Sequence, residues 1–250
     1  NNFAFYFYDL LNNTIQICSG GEIAKISDLK GIHTYLVNNT DKQSLMLNNP
    51  SMSKGVVSSY DYINNEVFFT FLQDNKLPFT INYSEVSKSF VSFYDYIPNR
   101  YISRGNHFLA IDSSNNRDIY RQYAGEYNKF FGQYYPSYVT LNVNPDAALD
   151  CVFDNINFKS EVYLNDVDQV DNTLTKIQAY NDYQDSGLVP LTNGRNNNLR
   201  RKFRDWNALI PRESNTRKRI RAPWIKLKLQ FDNNNNYKFV LHNVNIYYTV

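Results

Sequence analysis

An all-β, antiparallel fold is what this 250-residue sequence predicts, and three observations carry the prediction. Short apolar runs recur at roughly ten-residue spacing, each bounded by turn residues. Aromatics are abundant, with 21 Tyr and 17 Phe, and they favour pleated, half-buried surfaces; the 36 Asn, many in Asn-Asn pairs, tolerate the left-handed conformations of tight turns. Convincing helical periodicity is nearly absent.

Taken in order, strands are expected at residues 3–8, 14–17, 22–26, 34–37, 44–47, 56–62, 66–72, 79–83, 90–96, 107–112, 138–143 and 152–158. One segment departs from this rhythm. Leu199, Phe203, Trp206 and Ile210 fall at i, i+4, i+7 and i+11 before Pro211, which predicts a short helix with Arg200, Arg201, Arg204 and Asp205 on its other face. After Pro223, the residues Ile225, Leu227, Leu229 and Phe231 alternate with Trp224, Lys226, Lys228 and Gln230, a strand with one apolar face. An Asn-rich turn at 232–236 and a return strand at 237–248 complete a long closing β-hairpin. On the return strand Tyr237, Phe239 and Leu241 share one parity and Val244, Ile246 and Tyr248 the other, so a bulge near His242-Asn243 is needed to bring both sets onto one buried face.

A weak repeat runs through the first half. Tyr8-Asp9-Leu10 before Asn12-Asn13, Tyr60-Asp61-Tyr62 before Asn64-Asn65, and Tyr94-Asp95-Tyr96 before Pro98-Asn99 each place an aromatic, an Asp and an apolar residue ahead of a turn. Such an Asp can accept backbone N–H bonds at the strand-to-turn junction. Repeats of this kind point to propeller-like or β-sandwich units, which gives three expected regions. Residues 1–180 form a β-rich, propeller-like repeat region, 181–223 a basic and aromatic connecting segment, and 224–250 the closing hairpin. The chain starts without Met at a segment that already reads as a strand, so it is expected to be a fragment of something longer.

Net charge is only +2. Residues 195–228, however, hold 12 Lys/Arg against 2 Asp/Glu, leaving the remainder at −8. That asymmetry predicts a contact with something acidic, either within the chain or on a neighbouring subunit. Arg200, Arg201, Arg204, Trp206, Arg212, Arg217, Arg219, Arg221 and Trp224 are the candidate subunit-interface or acidic-partner residues, because Arg forks bridge carboxylates and stack on aromatics. Nucleic acid is a weaker reading of the same cluster: Arg could contact phosphates and Phe203, Trp206 or Trp224 could stack on bases, yet no recognition helix or RNA-binding signature accompanies them.

Chemistry is hard to find. His33, His107 and His242 lie far apart with no second ligand at metal spacing. No phosphate-binding Gly loop or nucleophile elbow occurs. Asp166, Asp168 and Asp171, and Asp182 with Asp185, read as solvated loops, although paired carboxylates also serve glycoside hydrolysis. Cys18 and Cys151 read as buried thiols in a reducing compartment. No apolar run is long enough for a membrane span, and no signal peptide is recognised. No catalytic residue, cofactor or metal is expected.

Several motifs occur in an ordered series: Gly55-Val-Val-Ser-Ser-Tyr-Asp-Tyr62 with Asn65-Glu-Val-Phe-Phe-Thr-Phe71, Ser89-Phe-Val-Ser-Phe-Tyr-Asp-Tyr-Ile-Pro98, Phe131-Gly132 with Pro136-Ser137, Val143-Asn144 with Phe153-Asp-Asn155, Asn181-Asp-Tyr-Gln184 with Ser186-Gly187, Trp206 with Ile210-Pro-Arg212, and Arg219-x-Arg221. In this order they resemble the tail nozzle or muzzle proteins of short-tailed bacteriophages, most closely those of crAss-like phages. The resemblance implies a non-enzymatic structural protein of the phage virion, made in the bacterial host cytoplasm. It implies a homo-oligomeric ring, a hexamer, around a tail channel that DNA leaves through during genome ejection without being read. Other tail proteins and fibres are the implied partners, with a host surface glycan as a further one. A receptor- or carbohydrate-binding tail module is the alternative, with Tyr134-Tyr135 and Tyr120 to Tyr127 as the stretches able to stack on sugars; a tail glycan hydrolase is a more distant one.

Overall fold

The computed structural model describes residues 4–114 and 118–250. The chain forms two compact units, Asn1–Gly125 and Glu126–Val250, so the division falls well before the boundary expected at residue 180. Antiparallel strands dominate both.

In the first unit a meander of Gly55–Asp61, Glu66–Leu72, Phe79–Ser84 and Ser89–Tyr94 is covered on both faces. Val67, Phe69 and Phe71 point towards Ile15, Ile26, Leu36 and Leu45, which come from the three-stranded sheet Ala4–Asp9, Thr14–Ser19 and Glu22–Lys25 and from the helices that follow it. Alternate residues point the other way. Phe68 meets Tyr101 and Phe108 of the sheet Pro98–Arg104, His107–Asp112 and Ile119–Arg121, and the Thr70 hydroxyl lies 2.6 Å from that of Tyr101. Burial on both faces is why Glu66–Leu72 reads as a continuous apolar run and not as an alternation.

Two of the expected strands are helices. His33–Asn39 and Lys42–Met46 replace strands at 34–37 and 44–47. Asp41 caps the second by accepting from Gln43 N at 3.2 Å, and each helix buries a single Leu, Leu36 or Leu45. With one apolar anchor per turn, helix and strand leave the same mark on the sequence.

The second unit is a sandwich. One layer orders Ser137–Val143, Ile225–Phe231, Lys176–Tyr180 and Val189–Pro190. The other is built on the 14-residue strand Cys151–Leu164, with Lys238–Thr249 along one side and Val167–Asp168, Asp205–Leu209 and Arg221–Ala222 along the other, Leu199–Lys202 lying beyond Asp205–Leu209. Phe153, Ile156, Phe158 and Trp206 share one core with Ile177, Ile225, Leu227 and Leu229. Each such side chain stabilises by about 1.5–3 kcal/mol when removed from water.

Two further expectations are corrected here. The segment expected as a helix is a β-hairpin, with Leu199 opposite Ala208 and Arg201 opposite Trp206. The closing hairpin of 224–250 is not a hairpin either. Both edges of Ile225–Phe231 are occupied, by Ser137–Val143 and Lys176–Tyr180, so the chain crosses to the other layer and pairs with Cys151–Leu164. Asn233 fixes that crossing, accepting from Tyr237 N at 2.9 Å and donating to Tyr237 O at 2.6 Å. The bulge is where the parity placed it: Asn243 faces Lys159 and Leu241 faces Ser160, which leaves His242 as the extra residue. Phe239, Leu241, Val244 and Ile246 all reach the core as a result.

Candidate functional site

The basic segment is folded into the larger sheet of the second unit, and its charges fall into two groups. Arg201 and Trp206 are cross-strand partners on the inward face. Trp206 is 2% exposed, and the Arg201 guanidinium lies over its ring at 5.6 Å, with Nη1 3.7 Å from Asp171. Arg219 donates from Nη1 to Asp154 Oδ1 at 2.6 Å, and Arg221 Nε lies 4.0 Å from Asp150 while its backbone N–H donates to Gln184 Oε1. Arg212 Nη1 donates to the Arg217 carbonyl at 3.4 Å, inside a loop closed by Glu213. That carboxylate accepts from the hydroxyl and the backbone N–H of Thr216 and from Asn215 N, and these bonds hold its pKa below the usual range. Trp224 is half-buried, with the Lys226 ammonium 5.9 Å from its ring.

Exposed charges make up the second group. The side chains of Arg200, Lys202, Arg204, Arg217 and Lys218 are exposed, and the described residues offer them no ion pair. Between them stands Phe203, 88% exposed at φ +59°. It occupies the first position of the two-residue hairpin loop, where glycine is the usual choice because a Cβ there crowds the backbone. The sequence pattern conceals this, because the spacing of Leu199, Phe203, Trp206 and Ile210 also fits an apolar helical stripe.

The Tyr-Asp repeat is a turn device in its first two copies. Asp9 accepts from Leu11 N and Asn12 Nδ2, and Asp61 from Ile63 N and Asn64 Nδ2. Tyr8 and Tyr60 each donate across the turn to the Asn five residues on, Asn13 at 2.8 Å and Asn65 at 3.1 Å. Both Asn take positive φ, +54° and +55°. Tyr6 and Tyr60 also converge on Glu85, at 2.5 and 2.6 Å, a node that nothing in the repeat announced. The third copy differs, since Pro98 starts a strand where the others have a turn.

Among the described residues no cluster of three or more His, Cys, Asp or Glu is arranged to hold a metal. His33 lies 3.3 Å from Asp28 and His242 3.1 Å from Glu161. Cys18 and Cys151 are free thiols. Tyr134 donates to Glu126, and Tyr127 is exposed.

Comparison with known proteins agrees with this division of the chain. Residues 1–114 match the family described as Crassvirus muzzle protein, and residues 125–213 match the Crassvirus muzzle protein C-terminal domain. The second match begins at residue 125, next to the division between the two structural units, and the first ends at residue 114, inside the first unit. The muzzle protein of Bacteroides phage crAss001 is 32% identical over 249 residues, covering 97% of this chain. The chain spans 17% of that relative's length. Matched in order by both models and along nearly its whole length by this relative, the chain belongs to the Crassvirus muzzle protein family.

Proposed function

We propose that this chain is a structural, non-enzymatic part of the phage tail, contributing to a closed ring at the tail's distal end around the channel through which DNA leaves. The family match over both units is the observation that carries this reading. Two packed β-units with exposed cations on one hairpin suit a scaffold held by its neighbours through a repeated contact. The ring is a hexamer in this reading, assembled in the host cytoplasm and docked to other tail proteins and fibres.

The subunit contact falls on the exposed members of the basic segment. Arg204, Arg212 and Arg217, with Phe203 at the hairpin tip, meet an acidic surface on the neighbour. Arg201, Trp206, Arg219 and Arg221 support them from within the chain, and Trp224 stands just before Ile225–Phe231, beside Lys226. Outside residues 195–228 the chain carries a net −8, so a second copy offers the complementary charge. DNA passes without sequence readout.

Cryo-electron microscopy of the intact tail tests this. Tracing the sequence into a closed ring with residues 200–224 at a subunit boundary is the expected result. Density on peripheral fibres, or none in the virion, overturns the proposal.

A further inference from the structure

The sheet that carries the basic hairpin has an outward face. Ile156, Phe158, Trp206, Ala208 and Leu199 are turned into the core, so the residues between them point out. Register then aligns them in rows. Arg200 lies opposite Asn207, Asn207 opposite Asn157, and Asn157 opposite Asn245. In the next row Asn155 is flanked by Leu209 and Tyr247, which are 59% and 52% exposed. Above these rows a pocket of about 240 Å³ opens, walled on one side by Asn197 and Asn198.

The hydrogen-bonding inventory of this pocket is unusual. Asn198 is spent, accepting from Thr192 N at 2.9 Å and donating to Pro190 O at 2.8 Å, so it is a rigid wall. Asn197 donates to Asn193 O and keeps its carbonyl oxygen. Asn207 accepts from Asn157 and keeps both N–H donors. The side chains of Asn155 and Arg200 make no hydrogen bond to the described residues, which leaves a complete carboxamide and a guanidinium. Donors and acceptors are therefore interspersed beside the apolar surface of Leu209, and Tyr247 stands next to the pocket as the cross-strand partner of Asn155.

This chemistry discriminates between ligands. No carboxylate lines the pocket, so it does not collect cations, and one guanidinium among amides is a weak match for phosphate, which calls for several positive donors. A hydroxyl donates and accepts at once, and a ring bearing several hydroxyls on an apolar C–H face satisfies both parts of the lining.

We propose that this pocket is a saccharide-binding site. One pyranose ring sits against Leu209 with its hydroxyls bonded to Asn155, Asn207 and Arg200, and the next sugar lies along the face of Tyr247. The proposal stands on the pocket alone and holds wherever the chain sits in the tail.

The test is side-chain amide NMR of the full chain, titrated separately with the methyl glycosides of glucose, galactose, mannose and N-acetylglucosamine, with glucuronate, and with inorganic phosphate. The expected result is that at least one sugar shifts the Asn155 and Asn207 amides saturably. Asn155→Ala and Tyr247→Ala should each raise the Kd about tenfold, as expected for losing a hydrogen bond or a stacking surface. Asn234→Ala, in the exposed connection after Ile225–Phe231, should leave it unchanged. The Asn155 side chain points outward and makes no hydrogen bond to the described residues, so its variant should melt with the parent. Shifts with phosphate alone, no shift with any sugar, or binding that survives both variants would overturn the assignment.

Discussion

Arg219 Nη1 donates to Asp154 Oδ1 at 2.6 Å, and Asp154 is the residue that strand Cys151–Leu164 spends on its own bulge. Phe153 faces Tyr248 and Asn155 faces Tyr247, so Asp154 has no partner across the ladder. Its carbonyl accepts from Ile210 N at 3.0 Å and its carboxylate from Thr249 at 3.4 Å. The bulge lets Phe153 and Ile156 point into one core despite their odd spacing. The first prediction follows from this pair. Arg219 is more than half exposed, so Arg219→Ala should cost no more than about 1 kcal/mol, and high salt should reduce that cost. Urea unfolding at low and high ionic strength checks it; a cost of several kcal/mol would mean that the bulge depends on the ion pair.

Trp206 should behave differently. It is 2% exposed and fills the core beneath Arg201. Trp206→Ala is expected to cost about 3–5 kcal/mol, whereas Arg201→Ala removes the stacked cation and its exposed ion pair with Asp171 and should cost about 1 kcal/mol. Chemical denaturation of both variants separates packing from charge.

Phe203 carries the opposite expectation. Its left-handed backbone favours glycine and its ring touches water, so Phe203→Gly should leave stability unchanged or raise it by up to ~1 kcal/mol. The same change should weaken subunit association, measured by sedimentation of the assembled protein. A variant that is less stable and equally associated would show that the ring packs within its own chain.

The paired turns give a graded test. Asp61 is fully buried and its carboxylate accepts from Ile63 N and Asn64 Nδ2, so Asp61→Ala removes two hydrogen bonds to a charged acceptor and should cost about 1.5–3 kcal/mol. Asp95 is exposed at the divergent third copy, and Asp95→Ala should be within about 0.5 kcal/mol of the parent. Thermal melts of the two variants decide whether the repeat is one device or a coincidence of sequence.

Alkaline pH probes the tyrosines. Burial first, and then the bond to Glu85, pushes the Tyr6 and Tyr60 hydroxyls above the ordinary value of 10.0, while burial followed by the Glu66 charge pushes Tyr94 up to about 12. A raised folded pKa means that the folded chain keeps protons the unfolded chain releases. Their contribution is therefore complete below about pH 10 and is lost as pH rises towards the folded values. Unfolding free energy should fall between about pH 10 and 12, and Tyr94→Phe should make that fall shallower. Tyrosinate absorbance of the native protein checks it, because these groups should ionise only on unfolding.

Much of the fold was legible in short-range pattern. Residues 66–72 and 107–112 are strands with the expected bounds, and the parity conflict on 237–248 was enough to place a bulge at His242. Side-chain alternation is a local property, fixed by the pleat, so the chain displays it directly. Leu199, Phe203, Trp206 and Ile210 show the limit of such reading: four apolar residues at helical spacing also suit a hairpin that buries Leu199, Trp206 and Ile210 and exposes Phe203. Among the candidate site residues, sequence supplied the charge, but not the separation of Arg201, Arg219 and Arg221, which have ion-pair partners, from Arg200, Arg204 and Arg217, which have none among the described residues.

By itself, then, the sequence determined the strand class, the alternation of Ile225–Phe231, the Asp-centred turns and the family, because each is written in neighbouring residues. Tertiary structure decided which strands pair. Ile225–Phe231 and Lys238–Thr249 are adjacent in the chain and yet lie in different sheets, and the row from Arg200 to Asn245 joins one hairpin to two strands distant in sequence. A backbone edge pairs with whichever partner buries the most apolar surface, and that choice belongs to the whole core and not to any one segment.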